Sequence, residues 1–239
     1  MLLHVTVLLA VAAMVTAGFW QLHRLSERKD RNSLITDRGE LPVAEVQNLV
    51  GIHDSYEVGQ EIEFRTVRAL GVYQPADQVL IRNRTYQGSA GYWVLTPLQL
   101  DTGATVAVNR GWISRGAALD PSPAAFAPIP GPVEVIGLLR ATVTAVGLQQ
   151  DDPPQGVLTE MARPDLARLA RQLDTDLLPV YVQLQSQNPP TGELPVPAPA
   201  PDLGEGSHLA YAVQWFVFAA ITSVGYPLMM RRSFSLVTP

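Results

Sequence analysis

The sequence predicts a membrane protein in which two transmembrane helices flank a mainly antiparallel β domain, a small sheet or barrel of α+β character. Three observations carry this fold class. Residues 1–23 and residues 207–230 contain no Asp, Glu, Lys or Arg, and all 22 acidic residues lie between Glu27 and Glu205. The charged fraction is 16%, against roughly 25% in an ordinary soluble domain. Between the two uncharged ends the chain alternates polar and apolar residues in short runs, as half-buried strands do.

The first helix is expected over residues 1–23, where 2–22 form an uncharged run. A helix needs about 20 apolar residues to cross a hydrocarbon core of roughly 30 Å. A signal peptide is the alternative, but the run lacks a basic start and is long for a signal core. The second helix is expected over 207–230, and Arg231 and Arg232 follow it at once in a stop-transfer pattern. Two spans place both termini on one side and the long middle on the other. Arg231 and Arg232 vote for cytoplasmic termini and a tail over 231–239, whereas Arg24, Arg28, Lys29 and Arg31 vote the other way. Long loops translocate largely regardless of charge. The expectation is therefore a domain on the outer side of a cytoplasmic membrane.

That domain is expected over 24–188, followed by a proline-rich linker over 189–206. Strands are predicted at 61–73 through Phe64, Val67 and Ala69, and at 78–84, 92–100, 104–113, 134–143 and 179–185. Asp101-Thr102-Gly103 reads as a tight hairpin turn. One short helix is predicted at 164–173, with Pro164 at its start and Leu166, Leu169, Ala170 and Leu173 on one face. Five prolines between Pro121 and Pro132 mark an extended excursion, and six between Pro189 and Pro201 mark a semi-rigid connector.

Composition excludes several chemistries. Residues 24–208 hold 15 basic residues against 22 acidic ones, a net charge of −7, so nucleic acid is not an expected partner. The absence of cysteine removes a disulfide scaffold, a thiolate metal site and a cysteine nucleophile. His4, His23, His53 and His208 have no metal-ligand spacing, and no phosphate loop or dinucleotide fingerprint is present. Gly88-Ser89-Ala90-Gly91 is not a nucleophile elbow. Asp151-Asp152 before two prolines reads as a turn, with cation binding the lesser alternative. No catalytic constellation is visible, and an enzyme is the minority reading.

The unusual residues sit where each helix meets the domain. Trp20, Gln21 and Arg24 close the first helix, and His208, Tyr211, Gln214 and Trp215 open the second. Interfacial aromatic belts and snorkelling account for much of this, and Gln21 and Gln214 could bond across the helix pair. Ser207 is a fitting N-cap, which puts His208 on the first turn. At helical spacing His208, Tyr211, Ala212 and Trp215 share one face. A neutral imidazole beside aromatic and small residues suits an axial haem ligand, although a helix-start histidine is more often merely solvated.

Five ordered blocks resemble the Surfeit locus protein one family of cytochrome c oxidase assembly factors. They are GFWQLHR at 18–24, IRNRTYQGSAGYWVLTPL at 81–98, VNRGWI at 108–113, PVYVQL at 179–184 and SHLAYAVQWFVFA at 207–219. The resemblance implies a bacterial, multi-pass, non-catalytic chaperone that assembles aa3-type oxidase, binds haem a and hands it to the catalytic subunit. It maps the family's haem-ligating histidine onto His208, its neighbours onto Gln214 and Trp215, and its first-helix motif onto Trp20, Gln21 and Arg24. Asn109, Arg110, Gly111 and Trp112 match its central motif, with Arg110 read as structural or partner-facing. Implied partners are the oxidase subunits, membrane lipid and haem a synthase. The alternative is an accessory subunit or scaffold retained in the oxidase or a respiratory supercomplex without handling haem. Lys29 is the one lysine among 17 basic residues, a composition of GC-rich, for instance actinobacterial, genomes.

Overall fold

The structure, a computed structural model, describes residues 1–119 and 126–235. The chain divides into two compact units, Met1–Thr36 with Pro201–Pro239, and Asp37–Ala200. Part of the expected proline-rich excursion, 120–125, and the last four residues lie outside the described residues.

The first unit holds two long helices. The first, α1 (Leu2–Gly39), runs far past the uncharged segment that predicts it. Neither proline nor glycine interrupts residues 19–38, so nothing local stops the helix until Gly39. The last helix of the chain spans His208–Ser235. Both are long and apolar enough to cross a membrane.

The second unit is a mixed sheet that closes on itself. Its elements are β1 (Ala44–Glu45), α2 (Val58–Ile62), β2 (Thr66–Tyr73), β3 (Val79–Tyr86), β4 (Ser89–Leu100) and β5 (Thr105–Ser114). Then come α3 (Arg115–Leu119), β6 (Pro132–Ala141), β7 (Glu160–Met161), α4 (Leu166–Ala170) and β8 (Leu177–Asn188), which makes the last helix α5. The strand order is β1-β2-β6-β8-β5-β4-β3-β7. A further antiparallel pairing of β2 residues Gly71–Tyr73 with β4 residues Leu98–Leu100 closes β2, β6, β8, β5 and β4 into a five-stranded ring. Most pairings are antiparallel, but β1–β2, β3–β7 and β5–β8 are parallel. The expectation of antiparallel pairing is corrected there because β8 arrives only after β6 and α4, and slots between β5 and β6.

The local chemistry explains most elements. β2 alternates buried and exposed residues from Val67 to Tyr73. The predicted strand start at 61 is replaced by α2, whose Val58 and Ile62 meet the core at helical spacing. Phe64 is three residues from Val67 and out of phase with the strand. It reaches the core through a positive φ of 68°, and its N–H donates to the Leu139 carbonyl at 2.8 Å. Gln87 and Gly88, at φ 47° and 79°, join β3 to β4 in a two-residue turn of the kind that matches strand twist. β5 is buried along nearly its whole length, as befits a strand covered on both faces. The predicted helix at 164–173 shortens to α4, with the Asp165 carboxylate accepting from the Arg168 N–H at 2.9 Å.

Asp151 and Asp152 are engaged in ion pairs. The Asp152 carboxylate accepts from Arg82 and from the Ala162 N–H, both at 2.8 Å, and Asp151 lies 3.7 Å from Arg163. Among the described residues no cluster of three or more potential metal ligands exists.

The proline-rich segment after β8, read from the sequence as a semi-rigid connector, is fastened to the barrel. Val196 pairs with Trp112 in a two-way backbone bridge of 2.6 and 2.8 Å, and Gln183 donates to the Pro199 carbonyl at 3.0 Å. This covers the edge of β5 beyond the point where β8 ends its pairing at Asn109. Gly111 makes the approach possible. Its φ is +134°, and a Cβ there would lie 2.2 Å from the Val196 carbonyl oxygen. Gly111→Ala is therefore expected to free the strap, seen as faster proteolytic cleavage between 189 and 200 than in the parent protein. Unchanged cleavage would contradict the bridge.

Burial raises the pKa of both Tyr73 and Tyr181. Their folded-state stabilisation is present below the ordinary tyrosine pKa of about 10 and is lost as pH rises above it. Thermal melts of the full chain are expected to fall between pH 9.5 and 11.5, and less steeply in Tyr73→Phe.

Candidate functional site

α1 and α5 run antiparallel within the first unit, as the pairs His4–Tyr226, Gly18–Phe216 and Gln21–His208 show. The less exposed positions of α1 include 7, 11, 14, 18, 21, 25, 28, 32 and 35. Those steps of four and three are the spacing of a supercoiled helix seam. On α5 the matching positions are 208, 212, 215, 219, 222 and 226. Gly18 is buried because the Phe216 ring fills the place of its missing side chain, 2.7 Å from a hypothetical Cβ. The same ring meets Phe19 edge-on, centroids 5.4 Å apart.

Gln21 and His208 meet across this seam. The Gln21 Oε1 lies 2.8 Å from His208 Nδ1. An amide oxygen accepts, so Nδ1 donates to it, and in the neutral ring that tautomer puts the lone pair on Nε2. Among the described residues nothing bonds Nε2. Gly206, at φ +71°, leaves the space beside it open, since a Cβ there would lie 3.6 Å from Nε2. Ser207 occupies the position before the helix, and its carbonyl accepts from the Tyr211 N–H at 3.1 Å.

His208 also lines a cleft of about 350 Å³ with Arg24, Glu27, Arg28 and Arg31 of α1. The Glu27 carboxylate bonds Arg24 at 2.8 Å and lies 3.4 Å from His23. Arg24 also stacks over the Trp20 ring, 5.9 Å from its centroid. Asn32 donates to the Leu203 carbonyl at 2.6 Å, and Lys29 lies 3.7 Å from Glu205. Those two contacts hold the segment before α5 against the charged half of α1.

The seven residues singled out in the sequence do not all converge. Gln21, His208 and the half-buried Trp215 lie on the seam, and Arg24 joins His208 in the cleft. Trp20 is 54% exposed and Tyr211 50%. Tyr211 thus departs from the face shared by His208, Ala212 and Trp215, because α5 turns its narrow seam at three- and four-residue steps. Gln214 is exposed and makes no bond to Gln21, which is corrected here: the partner of Gln21 is His208. The sequence reading missed Arg28 and Arg31 as members of the site. Their signal was the spacing 21, 24, 28, 31 on one helical face, legible once α1 is known to continue past residue 23.

The central motif is structural. Arg110 is 1% exposed. Its guanidinium donates to Thr96 Oγ1 at 3.0 Å, to Gln78 Oε1 at 3.3 Å and to the Phe126 carbonyl, and it lies over the Tyr73 ring. Burial without a carboxylate lowers its pKa to about 10. Trp112 donates to the Arg84 carbonyl at 3.1 Å. Arg110 therefore faces the core and not a partner.

A model of the SURF1 family matches residues 8–220. A SURF1-like protein of Mycobacterium tuberculosis is 27% identical over 206 residues, covering 86% of this chain and 73% of its own. One of Rickettsia bellii is 26% identical over 231 residues, covering 95% and 90%. A third, of Dictyostelium discoideum, is 29% identical over 138 residues, covering 56% and 48%.

Proposed function

The chain belongs to the SURF1 family, which is linked to cytochrome oxidase assembly, and we propose that it is a non-catalytic assembly factor that binds haem a and delivers it to the oxidase catalytic subunit. The observation that carries this reading is the Gln21–His208 hydrogen bond. A ligating histidine is oriented by a partner on its other ring nitrogen, which fixes the tautomer and raises the basicity of the metal-facing nitrogen. Here Gln21 takes that role toward Nδ1, and Nε2 stands beside the space left by Gly206. The residues present therefore fit a haem: His208 would hold the iron, Gln21 would orient His208, and Trp215 would offer apolar surface. The bound haem supplies redox-active iron to the oxidase; this chain's residues only hold and release it.

The membrane reading follows the same line. Both helices span a bacterial cytoplasmic membrane, with the β domain outside and Arg231 and Arg232 inside. A periplasmic reporter fused within 189–200 should be active, and one fused after residue 235 should be silent.

The decisive test is spectral. The full chain, co-expressed with haem a synthesis and purified in detergent, is expected to carry a haem a spectrum that His208→Ala abolishes. Gln21→Leu is expected to weaken haem affinity by roughly 10–100-fold without removing the ligand. A full spectrum in His208→Ala would refute the ligand assignment. A deletion strain with fully haem-loaded oxidase would refute the delivery role, and stoichiometric retention in mature oxidase would favour the accessory-subunit reading.

A further inference from the structure

His208 accounts for a metal, yet it leaves the charge beside it unexplained. Arg24, Arg28 and Arg31 stand at i, i+4 and i+7 on the face of α1 that also carries Gln21, and all three line the cleft with His208. Glu27 is the one acid in that lining, and it is already engaged by Arg24. Arg28 is half-buried and, among the described residues, makes no hydrogen bond or ion pair. Arg28 therefore brings a positive charge that no carboxylate in the lining offsets. Gathering like charges is unfavourable, and the positive end of the α5 dipole adds to it. The arrangement becomes favourable when anions enter. Guanidinium is the group best matched to carboxylates through parallel N–H bonds.

We propose that this cleft takes the two carboxylate arms of a tetrapyrrole whose metal His208 binds, with Arg28 as the principal contact and Arg24 and Arg31 flanking it. The proposal rests on the haem reading above and extends it from the metal to the periphery of the ligand. Arg28 lies seven residues beyond Gln21, about 10 Å along the helix. That separation is on the scale of the distance from the centre of a porphyrin to its carboxylate arms. Placing the arginines just past the uncharged span also keeps the carboxylates at the polar edge of the membrane while the ring stays on apolar surface.

The test uses the full chain in phosphatidylcholine nanodiscs, titrated with haemin and separately with haemin dimethyl ester, which lacks the two negative charges. The Soret band reports ligation by His208, and its titration gives Kd. Haemin is expected to bind about 100-fold more tightly than the ester, since each charge-assisted hydrogen bond contributes about tenfold or more. Arg28→Gln should weaken haemin about tenfold, leave the ester unchanged, and be partly rescued by Arg28→Lys. The unchanged ester affinity serves as the control for folding. Equal affinity for both porphyrins, with a spectrum that still depends on His208, would overturn the carboxylate proposal and leave the haem reading standing. No His208-dependent spectrum with either porphyrin would overturn the haem reading and this proposal with it. Loss of the Arg28 effect when phosphatidylglycerol is added would assign the arginines to lipid headgroups and overturn the proposal.

Discussion

Arg110→Leu is expected to lower the stability of the chain by about 3 kcal/mol, a fall in Tm of roughly 10 °C for a protein of this size. Leucine leaves Thr96 Oγ1, Gln78 Oε1 and the Phe126 carbonyl without the guanidinium that now bonds all three. An unmet buried acceptor costs about 1–3 kcal/mol. Against this stands the relief of burying no charge, a real gain because the guanidinium has no carboxylate partner and burial lowers its pKa to about 10. Several acceptors outweigh one desolvated cation whose charge is already spread over hydrogen bonds and the Tyr73 ring. Arg110→Lys should recover less than half of the loss, because an ammonium lacks the planar fork that reaches separate acceptors. Circular dichroism melts of the three proteins in one detergent check this. A leucine variant that melts at or above the parent temperature would mean that desolvation, and not hydrogen bonding, dominates the site.

Gly71→Ala is expected to open the barrel. Gly71 is the residue at which β2, still paired with Val133 of β6, begins to pair with β4 as well. A Cβ there would lie 2.2 Å from the Gln99 oxygen and 2.9 Å from the Gln99 carbonyl carbon. These are backbone atoms, so no rotamer can relieve the overlap and the strands must separate. Overpacking of this kind costs about 3 kcal/mol. The loss should concentrate at the closure: hydrogen exchange at Leu98–Leu100 and Gly71–Tyr73 should accelerate far more than in β5 or β8. Gly103→Ala is the contrasting case. Its backbone is left-handed at φ +91°, which that of Gly71 is not, but nothing lies within 4 Å of a Cβ, so only the local turn should weaken. Equal effects of the two substitutions would argue that the closeness of β2 to β4 is not what requires glycine at position 71.

These two residues mark the limit of what could be read from the chain. Arg110 stands in an ordinary strand pattern, VAVNRGWIS, between Asn109 and Gly111, which leaves a structural and a partner-facing role equally open. Its burial follows from β5 lying at the centre of the sheet with cover on both faces, and no neighbour in sequence announces that. Gly71 looks like a weak point in a good strand. Its role appears only when β4, about thirty residues later, returns to close the ring.

The helix pair divides in the same way. The absence of charge over 1–23 and 207–230 is a local property, and it was enough to locate both long helices and the boundary where Gln21 and His208 lie. Alternation located β2, and Asp101-Thr102-Gly103 located the β4–β5 hairpin, closed by a Gly103 N–H to Leu100 carbonyl bond of 2.9 Å. The point where α1 stops was not legible from charge, because a helix does not end where hydrophobicity ends. It continues while no residue breaks it, and this continuation carries Arg28 and Arg31 into the cleft.

Patterning over ten or twenty residues is set by backbone propensity and by the contrast between water and apolar surroundings, so the sequence states it directly. The partner of each element is set by packing between segments far apart in the chain. Gln21 and His208 are 187 residues apart, β5 and β8 about seventy, and the Pro-rich strap reaches Trp112 from Val196. Such contacts form only when the whole core forms. That is why the helix ends that carry Gln21 and His208 could be read in advance, while the bond between them could not.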